Sequence, residues 1–306
     1  MNTSFGDWLR GVLAGHRLGR IIARRMGLLA AGMVLAVALS ACTAARLAYN
    51  QAPTITYWWL DAYVDLDDAQ STQTRVALDQ FFQWHRFNEL PSYADLLRQW
   101  QALAPHDLTP AQACAQFEQA RERIERAAEQ TVEPFTRLAL QLTPAQLEHL
   151  QRHQARGNED FEKDFLRGDA EQRLKTRLKR ATERSEMLYG TLNDEQRALL
   201  RDLLLGSPFD AQRTQAERLR RQADLLQTVR DAQAAPALAQ QRLREHYARV
   251  NRSPTPGYDA YQRELVRQGC VQFSRLHNST SSEQRAHAVR VLKGYEDDFR
   301  VLSAQR

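Results

Sequence analysis

The sequence predicts an all-α protein, an elongated multi-helix bundle, and three observations support that expectation. Beyond residue 41 only seven glycines remain in 265 residues, and the composition is dominated by Ala, Leu, Gln, Arg and Glu. These are the residues that lose least on entering a helix, whereas glycine loses most. Period-two alternation of β-branched residues is nearly absent after Tyr57. A Ser, Thr, Asp or Asn followed three residues later by Gln recurs along the chain, and five instances are read as helix starts: Asp67/Gln70, Thr109/Gln112, Thr143/Gln146, Asn193/Gln196 and Ser281/Gln284. Each is a capping box, in which two side chains satisfy the orphan backbone donors of a helix start.

Residues 1–41 form the first element, a signal peptide. They carry five arginines against one acid, Asp7, and then an apolar run from Met26 to Leu39 that is short for a membrane span. Leu39-Ser40-Ala41-Cys42 follows and resembles the bacterial lipobox. That resemblance implies cleavage before Cys42 and covalent attachment of diacylglycerol and a fatty acid to it. Residues 42–46 are then a lipidated N-terminus and short tether, and 47–306 a helical domain. Met26 is an alternative start, but it would discard all five arginines. Thr43, where enteric-type sorting would place a retaining aspartate, directs the expectation to an outer-membrane lipid anchor facing the periplasm.

The leader also accounts for most of the net charge of +5, since the remaining chain holds 37 basic and 36 acidic side chains. Nucleic-acid binding driven by a basic domain surface therefore has no basis. With 43% hydrophobic residues and a mean hydropathy of −0.59, the chain can bury a core but is not a multi-span membrane protein.

Caps and breakers place the helices near 47–63, 67–88, 91–104, 109–140, 143–167, 169–189, 193–205, 209–232, 236–251, 257–278 and 281–303. Pro110 and Pro144 fall at first helical positions, where a missing N–H costs nothing, and Pro134 is a candidate break in the fourth helix. Gly168, Gly190 and Gly206 are expected to end helices as left-handed caps. Asn251–Gly257, with Pro254 and Pro256, is expected to be a long connection. The capped starts keep no fixed spacing, so a solenoid is not predicted.

No residue pattern specifies a reaction. His149 and His153 have the spacing of two zinc ligands, but Leu150 stands where a metalloprotease needs Glu. Asp65, Asp67 and Asp68 suit helix capping better than a calcium loop, because Ala69 and Gln70 replace the expected ligand and glycine. Phosphate-cradling glycine loops and the Gly-x-Ser-x-Gly turn are missing, so neither catalytic residues, a cofactor nor a small-molecule substrate is inferred. Arg173, Arg177, Arg180 and Arg184 form a modest basic stripe that suits a solvated face. Cys114 and Cys270, 156 residues apart, leave two outcomes open in an oxidising compartment: one disulfide, or two buried thiols.

The densest chemistry is aromatic. Trp58 and Trp59 adjoin Asp65 in sequence, and His85, Glu89 and Tyr93 follow one helix later. These six residues are the candidate interaction surface. Two adjacent tryptophans cannot share one helical direction, so one is expected to pack inward and the other to reach a membrane or partner interface.

Trp59-Leu60-Asp61, Tyr63-Val64-Asp65-Leu66-Asp67, Gln70, and His85-Arg86 with Glu89-Leu90-Pro91-Ser92-Tyr93 resemble an uncharacterised family of proteobacterial lipoproteins carrying a domain of unknown function. That resemblance implies a lipidated helical envelope domain and supplies no catalytic residues. Leu108-Thr109-Pro110-Ala111-Gln112 and Leu142-Thr143-Pro144-Ala145-Gln146 are more weakly similar to the Leu-Thr-x-x-Gln motifs of Spy-type periplasmic chaperones. The expected function is thus a non-enzymatic interaction or scaffold lipoprotein with an envelope protein partner, and chaperone-like client binding is the alternative.

Overall fold

The structure, a computed structural model, describes residues 45–305. The expected signal peptide and the expected lipidation site, Cys42, lie outside the described residues. The chain divides into two units, Met1–Tyr49 and Asn50–Arg306. The described part of the first, residues 45–49, is helical.

The described part of the second unit is all-α, with twelve α-helices and one 3-10 turn. They are α1 (Ala52–Val64), α2 (Asp68–Asn88), α3 (Leu90–Leu103), α4 (Pro110–Gln130), α5 (Val132–Gln141), α6 (Pro144–Phe165), α7 (Ala170–Tyr189), α8 (Asp194–Leu205), α9 (Ala211–Ala234), α10 (Ala239–Asn251), α11 (Tyr258–Asn278) and α12 (Ser282–Ala304). The 3-10 turn, Pro236–Leu238, introduces α10. No described helix is long and apolar enough to cross a membrane.

Successive helix pairs alternate between two cores. The pairs α1–α2, α5–α6 and α9–α10 pack on one another around Val64, Ala139, Leu142, Leu147, Leu150, Leu226 and Val229. The pairs α3–α4, α7–α8 and α11–α12 surround Tyr189, Leu192, Leu200, Leu276 and Ala288, with Leu97, Ala104 and Leu292 along the α3–α12 seam. That seam is the most extensive helix contact of the unit. A fully buried leucine such as Leu90 or Leu302 contributes about 1.5–3 kcal/mol, so apolar packing carries most of each core.

All five capping boxes form. Four of them also join the helices in pairs. In the first core Gln70 Nε2 donates to Gln146 Oε1 (3.2 Å) and Gln146 Nε2 donates to Gln70 Oε1 (2.6 Å). In the second, Gln196 and Gln284 exchange the same two bonds at 2.7 and 3.0 Å. Each of the four amides also donates to a backbone carbonyl five residues ahead of its partner: those of Gln141, Asp65, Ser279 and Thr191. Each glutamine therefore caps its own helix and closes the loop in front of another.

The candidate break in the helix expected over 109–140 is present, at Thr131, three residues ahead of Pro134, while one expected cap needs correction. Proline has no N–H for the carbonyl four residues back, that of Gln130, and its ring crowds it, so the helix yields one turn early. Gly168 and Gly190 take positive φ values of 79° and 73°, but Gly206 stays at −78°. There Pro208 ends the helix, by removing a donor and by disfavouring helical geometry at Ser207. A cap not anticipated is Asp65, whose φ of 61° makes it the left-handed residue closing α1.

Candidate functional site

Along α1 the apolar residues divide into an inner and an outer face. Tyr57 and Val64 are buried, whereas Ile55, Trp58 and Trp59 are 53%, 63% and 56% exposed. At 100° per residue, positions 55, 58, 59 and 62 fall on one stripe of the helix, opposite the core. The expectation that one tryptophan packs inward is therefore overturned. Tyr57 and Val64 already fill the inward positions, and both indoles face out. Trp59 packs at a tilt against Tyr63, ring centroids 4.6 Å apart, and Tyr63 against His153 at 3.8 Å, which holds that end of the stripe against α6. Asp61 is the one charged side chain of α1, and its carboxylate accepts from the Leu66 N–H as a cap.

Beside this stripe α1, α2, α5 and α10 leave an apolar groove of about 730 Å³. Leu60, Val76, Ala77, Phe81, Phe135 and Leu138 form its walls. Tyr247 and Thr131 share a 2.8 Å hydrogen bond at its border, and burial pushes the Tyr247 hydroxyl pKa up.

The other four candidate residues do not join the tryptophans in one surface. His85 and Tyr93 sit at the α2–α3 turn with ring centroids 5.5 Å apart, among Phe81, Phe82 and Trp84. Burial lowers the His85 pKa; burial, and then the charge of Glu89, raises that of Tyr93. Glu89 is fully buried, with Arg126 Nε 3.0 Å and Arg123 Nη1 3.7 Å from its carboxylate oxygens. It is thus a buried anchor between α3 and α4, not an exposed contact. Asp65 is exposed, and its backbone carbonyl is held by Gln146.

His149 and His153 both turn toward α1. His149 Nε2 lies 3.1 Å from the Ala62 carbonyl, and His153 packs against Tyr63 with its Nδ1 against Arg156. Among the described residues no group of three His, Cys, Asp or Glu gathers as a metal site. In the basic stripe, Arg177 and Arg180 lie over Phe209 and Phe165, and Arg180 pairs with Asp164. Part of that stripe is therefore a cation–π seam, not a free basic face. Cys114 on α4 and Cys270 on α11 are joined by a disulfide, with Cα atoms 5.3 Å apart.

One polar cluster escaped sequence reading. Asp224 Oδ2 lies 2.7 Å from His246 Nδ1, and Arg249 Nε donates to its other oxygen at 2.9 Å. Two turns earlier, Glu217 accepts from Arg220, Arg221, Ser253 and Thr255. Burial pushes the Glu217 carboxyl pKa up, but these four donors outweigh it and hold it at about 2. Burial lowers the His246 pKa against the pull of Asp224. Ser253 and Thr255 belong to the 251–257 connection, so the cluster clamps that connection onto α9. A signal was present in the i, i+3, i+4, i+7 spacing of Glu217, Arg220, Arg221 and Asp224, which looks like an ordinary solvated face until the connection folds over it.

Residues 62–258 match a family model described as "Family of unknown function (DUF6279)". The chain belongs to this family. No curated protein and no solved structure matches it. The family match contains the Gln70–Gln146 pair, most of the groove and the Glu217–Asp224 cluster, while Cys270, Gln284 and α12 fall beyond its end.

Proposed function

We propose that this DUF6279 chain is a non-enzymatic interaction or scaffold lipoprotein, held by acylated Cys42 at the periplasmic face of the outer membrane, with the Ile55–Trp58–Trp59 face of α1 against the membrane interface. The observation that carries this reading is the exposure of both adjacent indoles, sixteen and seventeen residues after the lipobox cysteine. Indole rings favour the headgroup level of a bilayer, being apolar in body with one N–H to satisfy. The acyl chains on Cys42 tether the chain, and an indole face at the headgroup level fixes how α1 lies against the bilayer surface. Anchored in this way, the bundle is presented to an envelope protein partner. The Leu-Thr-x-x-Gln segments behind the chaperone alternative serve as helix caps, and Gln146 is buried against Gln70, which favours the anchored scaffold.

The test uses the full chain purified from membranes. Intact-mass analysis should show the acyl groups on Cys42. In vesicles containing brominated lipid, tryptophan emission should be quenched, and Trp58→Ala with Trp59→Ala should remove most of that quenching. An unmodified Cys42 and unquenched indoles would overturn the reading.

A further inference from the structure

The groove between α1, α2, α5 and α10 has a composition that selects its occupant. We infer that it holds one acyl chain of an anionic membrane lipid drawn from the bilayer, an inference that rests on the membrane-facing orientation of α1 proposed above. Its volume, about 730 Å³, lies within the roughly 300–1,000 Å³ usual for ligand sites.

Several of the polar groups along its walls are already committed to one another. Gln70 bonds to Gln146 and to the Gln141 carbonyl, Gln141 Nε2 donates to Gln73 Oε1 at 3.1 Å, and Thr131 bonds to Tyr247. A polar ligand would have to break these bonds, whereas a hydrocarbon chain against Leu60, Val76, Phe81, Phe135 and Leu138 leaves none unmet. Among the described residues lining the groove, Arg137 alone carries a charge. Its guanidinium is 57% exposed and lies 3.1 Å from an equally exposed Glu133, a surface pair that water already weakens. A phosphate at the rim can take Arg137 while its acyl chain lies within, and a zwitterionic or cationic headgroup has less to gain.

Access follows from the phase of α1. Thr56 and Leu60 line the groove about 100° around the helix from the exposed stripe, so the surface laid on the bilayer and the groove are neighbours on one helix. A lipid chain passing from membrane to groove therefore need not cross the core.

The test reconstitutes the full chain into vesicles of phosphatidylethanolamine with phosphatidylglycerol bearing a photoactivatable diazirine in one acyl chain. After irradiation, the crosslinked peptides are mapped by mass spectrometry. Crosslinks are expected within Val76–Phe81 and Phe135–Leu138. Ala77→Trp, which fills the groove, should abolish them, and Arg137→Gln, a rim change that leaves the core untouched, should lower their yield; circular dichroism checks that both variants fold. Crosslinks confined to Ile55, Trp58 and Trp59 would overturn the groove assignment while leaving membrane contact intact. Crosslinks at neither place would overturn both. Groove crosslinks that persist in Ala77→Trp, or a groove occupied by a second copy of the chain, would also overturn the assignment.

Discussion

Gln70 and Gln146 each complete the capping box of their own helix and donate an amide hydrogen to the other, with both side chains buried. A helix cap is ordinarily worth about 1 kcal/mol, because exposed backbone donors can turn to water. Here the loss is larger, since truncating Gln146 also takes both reciprocal bonds from the buried Gln70 amide and the donor from the Asp65 carbonyl. Leaving a buried polar group unpaired costs about 1–3 kcal/mol. Gln146→Ala should therefore lower the unfolding free energy in urea by about 2–4 kcal/mol. Gln112→Ala, in the solvent-exposed box of α4, should cost about 1 kcal/mol or less. Equal losses at the two positions would show that the reciprocal pairing adds nothing to the cap.

The Cys114–Cys270 disulfide closes 156 residues of chain and ties α4 to α11 within the second core. In the chain-entropy description a loop of that length confers about 5 kcal/mol by restricting the unfolded ensemble. Paired substitution of both cysteines by serine should lower the thermal midpoint by several degrees, and a reductant should do the same to the parent but not to the variant. Alkylation under denaturing, non-reducing conditions should label neither residue. Labelling of both would exclude the bridge.

Stability should fall in two stages on acidification. Burial keeps the pKa values of His85, His246 and His277 below the ordinary 6.5, so the unfolded chain takes protons there more readily than the folded one. Their contribution is complete above about pH 6.5 and is lost as the pH falls below it. Glu217 adds a second stage. Its carboxyl drops from 4.5 to about 2 on folding, so its contribution is present above pH 4.5 and disappears as the pH approaches 2. That shift corresponds to about 3 kcal/mol at neutral pH. Glu217→Gln should lower stability at pH 7 and flatten the urea midpoint between pH 4.5 and 2, leaving the histidine stage unchanged. A variant with the same acid limb as the parent would remove Glu217 from this role.

How much was legible in the sequence depended on whether a feature is local. Asp67/Gln70 and Ser281/Gln284 announce helix starts because a capping box needs only four consecutive residues, and the helix bounds fell close to those expected from such signals. The pairing of Gln70 with Gln146, and not with Gln112, is set by which helices share a core, and no local spacing records that. The same holds for Glu89: three residues before Ser92 it looks like a surface acid, and only the approach of Arg123 and Arg126 from α4 makes it a buried anchor. At Trp58 and Trp59 the local rule failed, because neighbours about 100° apart can share one outward stripe when Tyr57 and Val64 fill the inward positions. The groove has no sequence signature, because its walls come from four helices spread over nearly 200 residues.

Asp65 is the one non-glycine residue with positive φ among the described residues, at 61°. An L-residue in the left-handed region sacrifices about 1–2 kcal/mol, somewhat less for aspartate, whose short polar side chain tolerates it. Gln146 pins the conformation by donating to the Asp65 carbonyl at 2.8 Å, and the Asp65 N–H caps the Asp61 carbonyl. Because the carboxylate of Asp65 is exposed while its backbone does the structural work, the two can be separated. Asp65→Gly should raise stability by up to about 1 kcal/mol through relief of strain, offset in part by the added freedom of the unfolded chain. Asp65→Val, branched at Cβ, should lower it by about 1–2 kcal/mol. Urea denaturation of both variants decides the matter: if glycine and valine shift the midpoint in the same direction, the left-handed cap is not what places aspartate at the end of α1.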